Sequence, residues 1–258
     1  MLLMRIHYFF PLFLFILTSL QAQRHPLVSN DTLAQQNWVD AQYNAMTLEE
    51  RVGQLLMVSV GSNENKTVTD KVKKLVAEQH IGGIVFLTGG PGRQARLTNE
   101  FQKVSKTPLL IALDAEWGLS MRLDSTYAFP WNMTLGAVKD SRVVEKIGFQ
   151  IGKHVKRLGV HFNFAPDLDV NNNPQNPIIG NRSFGEDPQS VALLGTAFAN
   201  GMERAGVLSC GKHFPGHGDT ATDSHKALPI IASTRQRLDS VELLPFKSVI
   251  DNGLSSVM

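Results

Sequence analysis

From Leu55 onward the chain alternates short runs of apolar and β-branched residues with longer amphipathic segments. That alternation constrains the fold more than any other feature, because strands joined by helix-length crossovers pair in parallel. The strand candidates are Leu55 to Val60, Gly83 to Leu87, Leu109 to Leu113, Val160 to Phe164, Val207 to Gly211, and a last one that begins near Leu254. Between them lie helical segments such as Val68 to Glu78, Ser141 to Leu158, Ser190 to Ala205 and Arg235 to Asn252. Gly159, Gly206 and Gly253 stand just past the ends of three of these, where a helix is commonly closed. Thr47-Leu48-Glu49-Glu50 has the spacing of a capping box, so a helix is expected to start there. The preceding Arg24 to Ala45 reads as a polar stretch.

The polar residues of chemical interest all follow strands: Asp114 the third, Asp167 and Asp169 the fourth, Lys212 and His213 the fifth. Both a (β/α)8 barrel and an open doubly wound sheet place functional groups at the carboxyl ends of strands, so this pattern alone leaves the two open. No Gly-x-Gly-x-x-Gly stretch opens the first helix, which counts against a dinucleotide and leaves no cofactor expected.

At 43% hydrophobic and 19% charged residues, the 258-residue chain has the composition of a globular protein with a large core. Its net charge of +2 is spread out, without the basic stripe that would neutralise phosphates, and nucleic acid is not an expected partner. A single cysteine, Cys210, excludes a disulfide framework and reads as a buried strand residue. At the amino terminus Arg5 and His7 precede an apolar run, Tyr8 to Leu20, followed by Gln21-Ala22-Gln23. Residues 1–22 therefore read as a signal peptide cleaved after Ala22, since the run is short for a bilayer core of about 30 Å. Export to the periplasm or the exterior is expected, with no stable membrane span after cleavage. Residues 23–46 then form an N-terminal segment and 47–258 the folded domain.

The densest chemistry lies in Lys212-His213-Phe214-Pro215-Gly216-His217-Gly218-Asp219-Thr220-Ala221-Thr222-Asp223-Ser224-His225. Its glycines and proline make it a loop, and an ordinary connection needs none of its three histidines. One reading is a metal site built from His213, His217, Asp223 and His225. Against it, the spacing fits no usual helix-borne ligand pair, and Lys212 would set a positive charge beside the cation. The favoured reading is acid–base catalysis, with Asp223 orienting His225 and stabilising its protonated form.

The Lys212 to His225 segment resembles the signature of bacterial β-N-acetylglucosaminidases of glycoside hydrolase family 3, in which a His held by an Asp replaces the usual carboxylic acid/base. Asn163 to Pro188 and Leu113-Asp114-Ala115-Glu116-Trp117-Gly118 with Arg122 resemble two further blocks of that family. Trp117 stands where many relatives have glycine, which alters one wall of the pocket.

The resemblance implies an α/β fold, a (β/α)8 TIM-type barrel, incomplete here with about six strands. It implies that Asp114 accepts hydrogen bonds from sugar hydroxyls while Arg122, Arg182, Lys212 and His213 donate to hydroxyl and acyl oxygens. It also implies a retaining mechanism with Asp223 and His225 as catalytic acid/base and no metal, acting on N-acetylglucosamine-containing glycans such as muropeptides or chitin oligomers. The nucleophilic Asp of the family follows a later strand, so it is expected beyond Met258, and the isolated 258 residues are expected to be inactive. Asp251, inside a helix, is rejected as a substitute, and Asp169 is the first alternative to test. A β-glucosidase-type relative and a catalytically silent sugar-binding protein are the competing readings.

Overall fold

A computed structural model describes residues 26–231 and 233–258. The proposed signal peptide lies outside them. The strands are β1 (Met57–Gly61), β2 (Gly83–Thr88), β3 (Leu110–Leu113), β4 (Phe162–Asn163), β5 (Leu208–Gly211) and β6 (Ser256–Val257). The helices are α1 (Thr32–Ala45), α2 (Leu48–Gln54), α3 (Lys66–Glu78), α4 (Pro91–Val104), α5 (Asn132–Gly136), α6 (Ser141–Arg157), α7 (Pro188–Arg204), α8 (Arg235–Ser240) and α9 (Leu243–Asp251).

The strands form one parallel sheet in the order β1-β2-β3-β4-β5-β6. Each crossover returns the chain to the same end of the sheet, giving consecutive units of an unclosed α/β barrel. Ile84, Phe86, Ile111 and Leu113 are fully buried on one face of β2 and β3, and on the other face Ala112 is buried and Val85 half-buried, which is why those strands read as nearly continuous apolar runs rather than alternating ones. Cys210 is buried on β5 as expected. Among the described residues, no helix is long and apolar enough to cross a membrane.

Local signals account for most boundaries. Glu50 N donates to Thr47 Oγ1 at 3.3 Å and Thr47 N to Glu50 Oε2 at 2.9 Å, so both halves of the capping box form at the start of α2. The expected closing residues Gly159, Gly206 and Gly253 all adopt positive φ.

Two expectations are corrected. The polar stretch before Ala45 holds α1, capped by Asp31 accepting from Ala34 N; the helix buries no residue, so no apolar stripe marks it in the sequence. The helix expected from Arg235 to Asn252 is two, broken at Val241. Buried Glu242 turns toward Arg237, 3.3 Å away, and packs over Gly216 of the histidine loop.

Candidate active site

The site is assembled from the ends of β3, β4 and β5. Asn163 on β4 is buried, accepts from Ala115 N at 2.9 Å and donates to Ala115 O at 3.3 Å. This clamp fixes the residue between Asp114 and Glu116. Lys212, immediately after β5, donates to Asp114 Oδ1 and Glu116 Oε1, both at 2.8 Å. Arg122 donates to Asp114 Oδ2 at 2.5 Å, and Arg182 forks onto Glu116 at 2.7 and 3.0 Å. Arg182 Nη2 also lies 3.1 Å from His213 Nε2, and His213 Nδ1 lies 2.7 Å from Asp169 Oδ2. An unbroken chain of charge-assisted contacts thus runs from Arg122 to Asp169 and joins three loops that are far apart in sequence.

Burial would raise the Asp114 carboxyl, but Lys212 and then Arg122 outweigh it and hold the group below its ordinary range. The same contest at Glu116 is won by Lys212 and Arg182. Lys212 is raised in turn, as Glu116 and Asp114 override its own burial. These groups are ionised, yet donors remain. An ammonium carries three N–H bonds and Lys212 spends two, while Arg182 and Arg122 keep guanidinium N–H groups beyond those named. Such a set can orient a neutral polyhydroxylated ring.

Asp167 and Asp169 are fully buried beneath this surface. Burial, then the Asp169 charge, pushes Asp167 well above the usual carboxylate range. Burial also lifts Asp169 to about 6, although backbone N–H groups of His217 and His213 pull the other way. His213 is drawn down to about 4, chiefly by burial. It is therefore a neutral imidazole that donates Nδ1–H to Asp169 and accepts from Arg182 at Nε2. In this arrangement neither ring nitrogen is left to donate outward.

These shifts oppose one another in their effect on stability. Asp169 binds its proton more tightly folded than unfolded, so its contribution is present below about pH 4 and lost as pH rises through about 6. His213 binds its proton less tightly, so its contribution is present above about pH 6.5 and lost as pH falls through about 4. Asp169→Asn removes the first and leaves the second. Chemical denaturation at a series of pH values should show this variant gaining stability between about pH 4 and 6.5 more steeply than the parent. An unchanged or shallower slope would overturn this placement of protons.

Among the described residues, the group spaced to share a metal ion is Asp167, Asp169 and His213, rather than the four residues considered from the sequence. His217 instead faces Thr220, and Asp223 and His225 pair separately. Asp169 already accepts two backbone N–H groups, and Asp167 Oδ2, which has no hydrogen bond, faces Arg182 Nη2 at 3.7 Å, so a cation there would meet a guanidinium. The same bonding makes Asp169 a poor attacking group. Its carboxylate braces the His213–His217 turn. From the segment after β4, Asn173 and Asn176 reach across to the carbonyls of Asp219, His217 and Gly218.

Asp223 and His225 form their own pair. Asp223 Oδ1 accepts from His225 N and faces Nδ1, both at 2.9 Å, and these two bonds hold the Asp223 carboxyl below its usual range. The His225 side chain is 83% exposed. Among the described residues, no hydrogen bond or ion pair joins this pair to the Arg122–Asp169 chain. The structure thus brings Asp114, Arg122, Arg182, Lys212 and His213 together and sets Asp223–His225 farther along the same loop. Sequence reasoning assigned no role to Glu116, whose place two residues from Asp114 was the available signal, and left Asn163 and Asp167 without one.

A family model for the glycosyl hydrolase family 3 N terminal domain matches residues 47–258. Beta-hexosaminidase A of Pseudoalteromonas piscicida is 36% identical over 242 residues, covering 89% of this chain and 40% of that protein. The beta-hexosaminidase of Thiobacillus denitrificans is 32% identical over 213 residues, covering 79% and 58%. A solved glycoside hydrolase family 3 beta-N-acetylglucosaminidase from Paenibacillus sp. str. FPU-7 superposes with a TM-score of 0.77 at 43% identity, covering 83% of this chain and 42% of that one. The chain spans about half the length of the curated relatives it matches.

Proposed function

The chain belongs to glycosyl hydrolase family 3 through that family's N-terminal domain, and we propose that it supplies the sugar-gripping and proton-transferring parts of an enzyme that removes terminal β-linked N-acetylglucosamine. The observation that carries this reading is the loop after β5. It places Lys212 and His213 in the charged chain at one end and a bonded Asp223–His225 pair at the other.

In this reading Asp114 accepts from sugar hydroxyls while Arg122, Arg182 and Lys212 turn their remaining N–H groups to hydroxyl and acyl oxygens. His213 holds Arg182 in place through Nε2, which carries no proton in this arrangement, so it donates to the substrate only in its protonated form. Asp223 keeps the His225 proton on Nδ1, so Nε2 is the atom that hands a proton to the departing oxygen and later takes one from water. In this reading the attacking carboxylate follows a later strand than β6, as the family resemblance implies. Within the site, Asp114, Glu116 and Asp169 are each tied to a cation or to N–H donors and are poorly placed to attack. The apolar run at Tyr8 to Leu20 supports export, and muropeptides or chitin oligomers are then the natural glycans.

The test is turnover by a form that includes the following segment. Preference for 4-nitrophenyl N-acetyl-β-glucosaminide over the β-glucoside, with the β-anomer released first, is expected. A reversed preference would favour the β-glucosidase reading. Sugar binding without turnover of either substrate would favour the silent binder.

A further inference from the structure

Beside the charged chain stands an aromatic pair with no part in it. Trp117 and Trp131 stack at 4.1 Å between ring centroids with planes 19° apart. Each is one residue from the site: Trp117 follows Glu116, and Trp131 precedes Asn132, whose side-chain amide donates to Arg182 O at 2.7 Å. The loop between them is built to hold this geometry. Gly118 takes φ +89, and a Cβ there would meet the Phe129 ring at 2.8 Å. Phe129 N donates to Trp117 O at 3.0 Å, and Tyr127 packs edge-on against Phe129.

We propose that this stacked pair is the platform for the sugar on the leaving side of the scissile bond, so that the protein selects glycans whose aglycone is itself a hexopyranose. The proposal rests on the glycosidase reading. Each indole spends one face on the other, yet Trp131 remains 42% exposed. A β-linked pyranose presents a face of axial C–H groups that suits an indole plane, while its hydroxyls point outward to polar neighbours. The loop's surface fits that occupant better than an apolar protein partner. Its aliphatic members Leu119 and Leu123 are buried, and Asp124, Ser125 and Tyr127 are exposed.

The test compares turnover of a β-1,4-linked disaccharide of N-acetylglucosamine with that of the methyl N-acetyl-β-glucosaminide. Trp131→Ala is expected to lower the ratio of kcat/KM values, disaccharide over methyl glycoside, about 3- to 10-fold, with Trp131→Phe in between. Equal losses on both substrates would mean that the ring only supports the fold, and no loss on either would mean that it meets no substrate; each overturns the platform. A parent protein that turns over neither substrate would overturn the glycosidase reading instead. Perturbation of the Trp131 indole N–H signal by the disaccharide then decides the platform separately, and an unperturbed signal sinks it.

Discussion

Replacing His225 with alanine is expected to slow release of poor leaving groups by roughly 10² to 10⁴-fold, the usual contribution of a general acid, while activated aryl leaving groups suffer far less. Asp223→Ala should follow the same pattern through a different cause. Without the Asp223 Oδ1 contact, the ring loses the partner that keeps its proton on Nδ1 and supports its charged form. The exposed position of His225 separates this outcome from unfolding, because an exposed imidazole contributes little to packing, so the His225 variant should melt near the parent temperature. Steady-state kinetics on a pair of N-acetylglucosaminides, one with an alkyl and one with an activated aryl aglycone, reads the difference. Equal losses on the two in the glycosylation step would remove the dyad from the mechanism.

The largest effect on stability is expected at Lys212. Its side chain is 3% exposed and sits between Asp114 and Glu116, with Glu116 1% exposed. Lys212→Met keeps most of the aliphatic volume but leaves two carboxylates facing each other without the ammonium. Breaking a buried pair in this way costs about 3–5 kcal/mol, because the remaining charge is neither hydrated nor compensated. Arg182 and Arg122 soften the loss without replacing the shared contact. Adding Glu116→Gln to the first substitution should restore part of the stability, since the double variant buries one charge fewer. Denaturant unfolding of the parent, both single variants and the double variant measures the coupling. A loss below about 1 kcal/mol for Lys212→Met, or strictly additive effects, would show that the three groups do not share one buried network.

How far the sequence could be read depended on how local each signal was. Strands β2 and β3 were visible because Gly83 to Leu87 and Leu109 to Leu113 are continuous apolar runs, which a strand buried on both faces requires. Helix α1 left no trace, since its contacts bury nothing and its pattern has no stripe. The break at Val241 was hidden for the opposite reason. The apolar period continues through it, and only the burial of Glu242 against Arg237 and Gly216 redirects the chain. At the site, Asp114, Lys212 and His213 stood out as polar residues directly after strands, while Arg122 and Arg182 were singled out by the resemblance to known family blocks. Glu116 did not, because its importance comes from Arg182 and Lys212 arriving from distant loops, and no local pattern encodes that meeting. His213 is similar: the residue was legible, but its neutral state depends on burial and on the nearby Arg182 and Lys212 charges.

The neighbour-by-neighbour order of the sheet has a consequence for how the molecule comes into being on the ribosome. Every strand from β2 to β6 lies beside the strand that precedes it in sequence, so each new strand emerges to find its partner already made. The sheet can grow in the direction of synthesis without holding an early strand open for a late one. The charged chain follows another timetable. Asp114 and Glu116 appear after β3, Arg182 must wait for the long segment after β4, and Lys212, which ties the two acids together, is translated only once β5 is complete. Until that moment the two carboxylates are held side by side in a nascent fold that lacks their common cation. Five strands are laid down before the two acids gain the cation they share, and β6 is added after it.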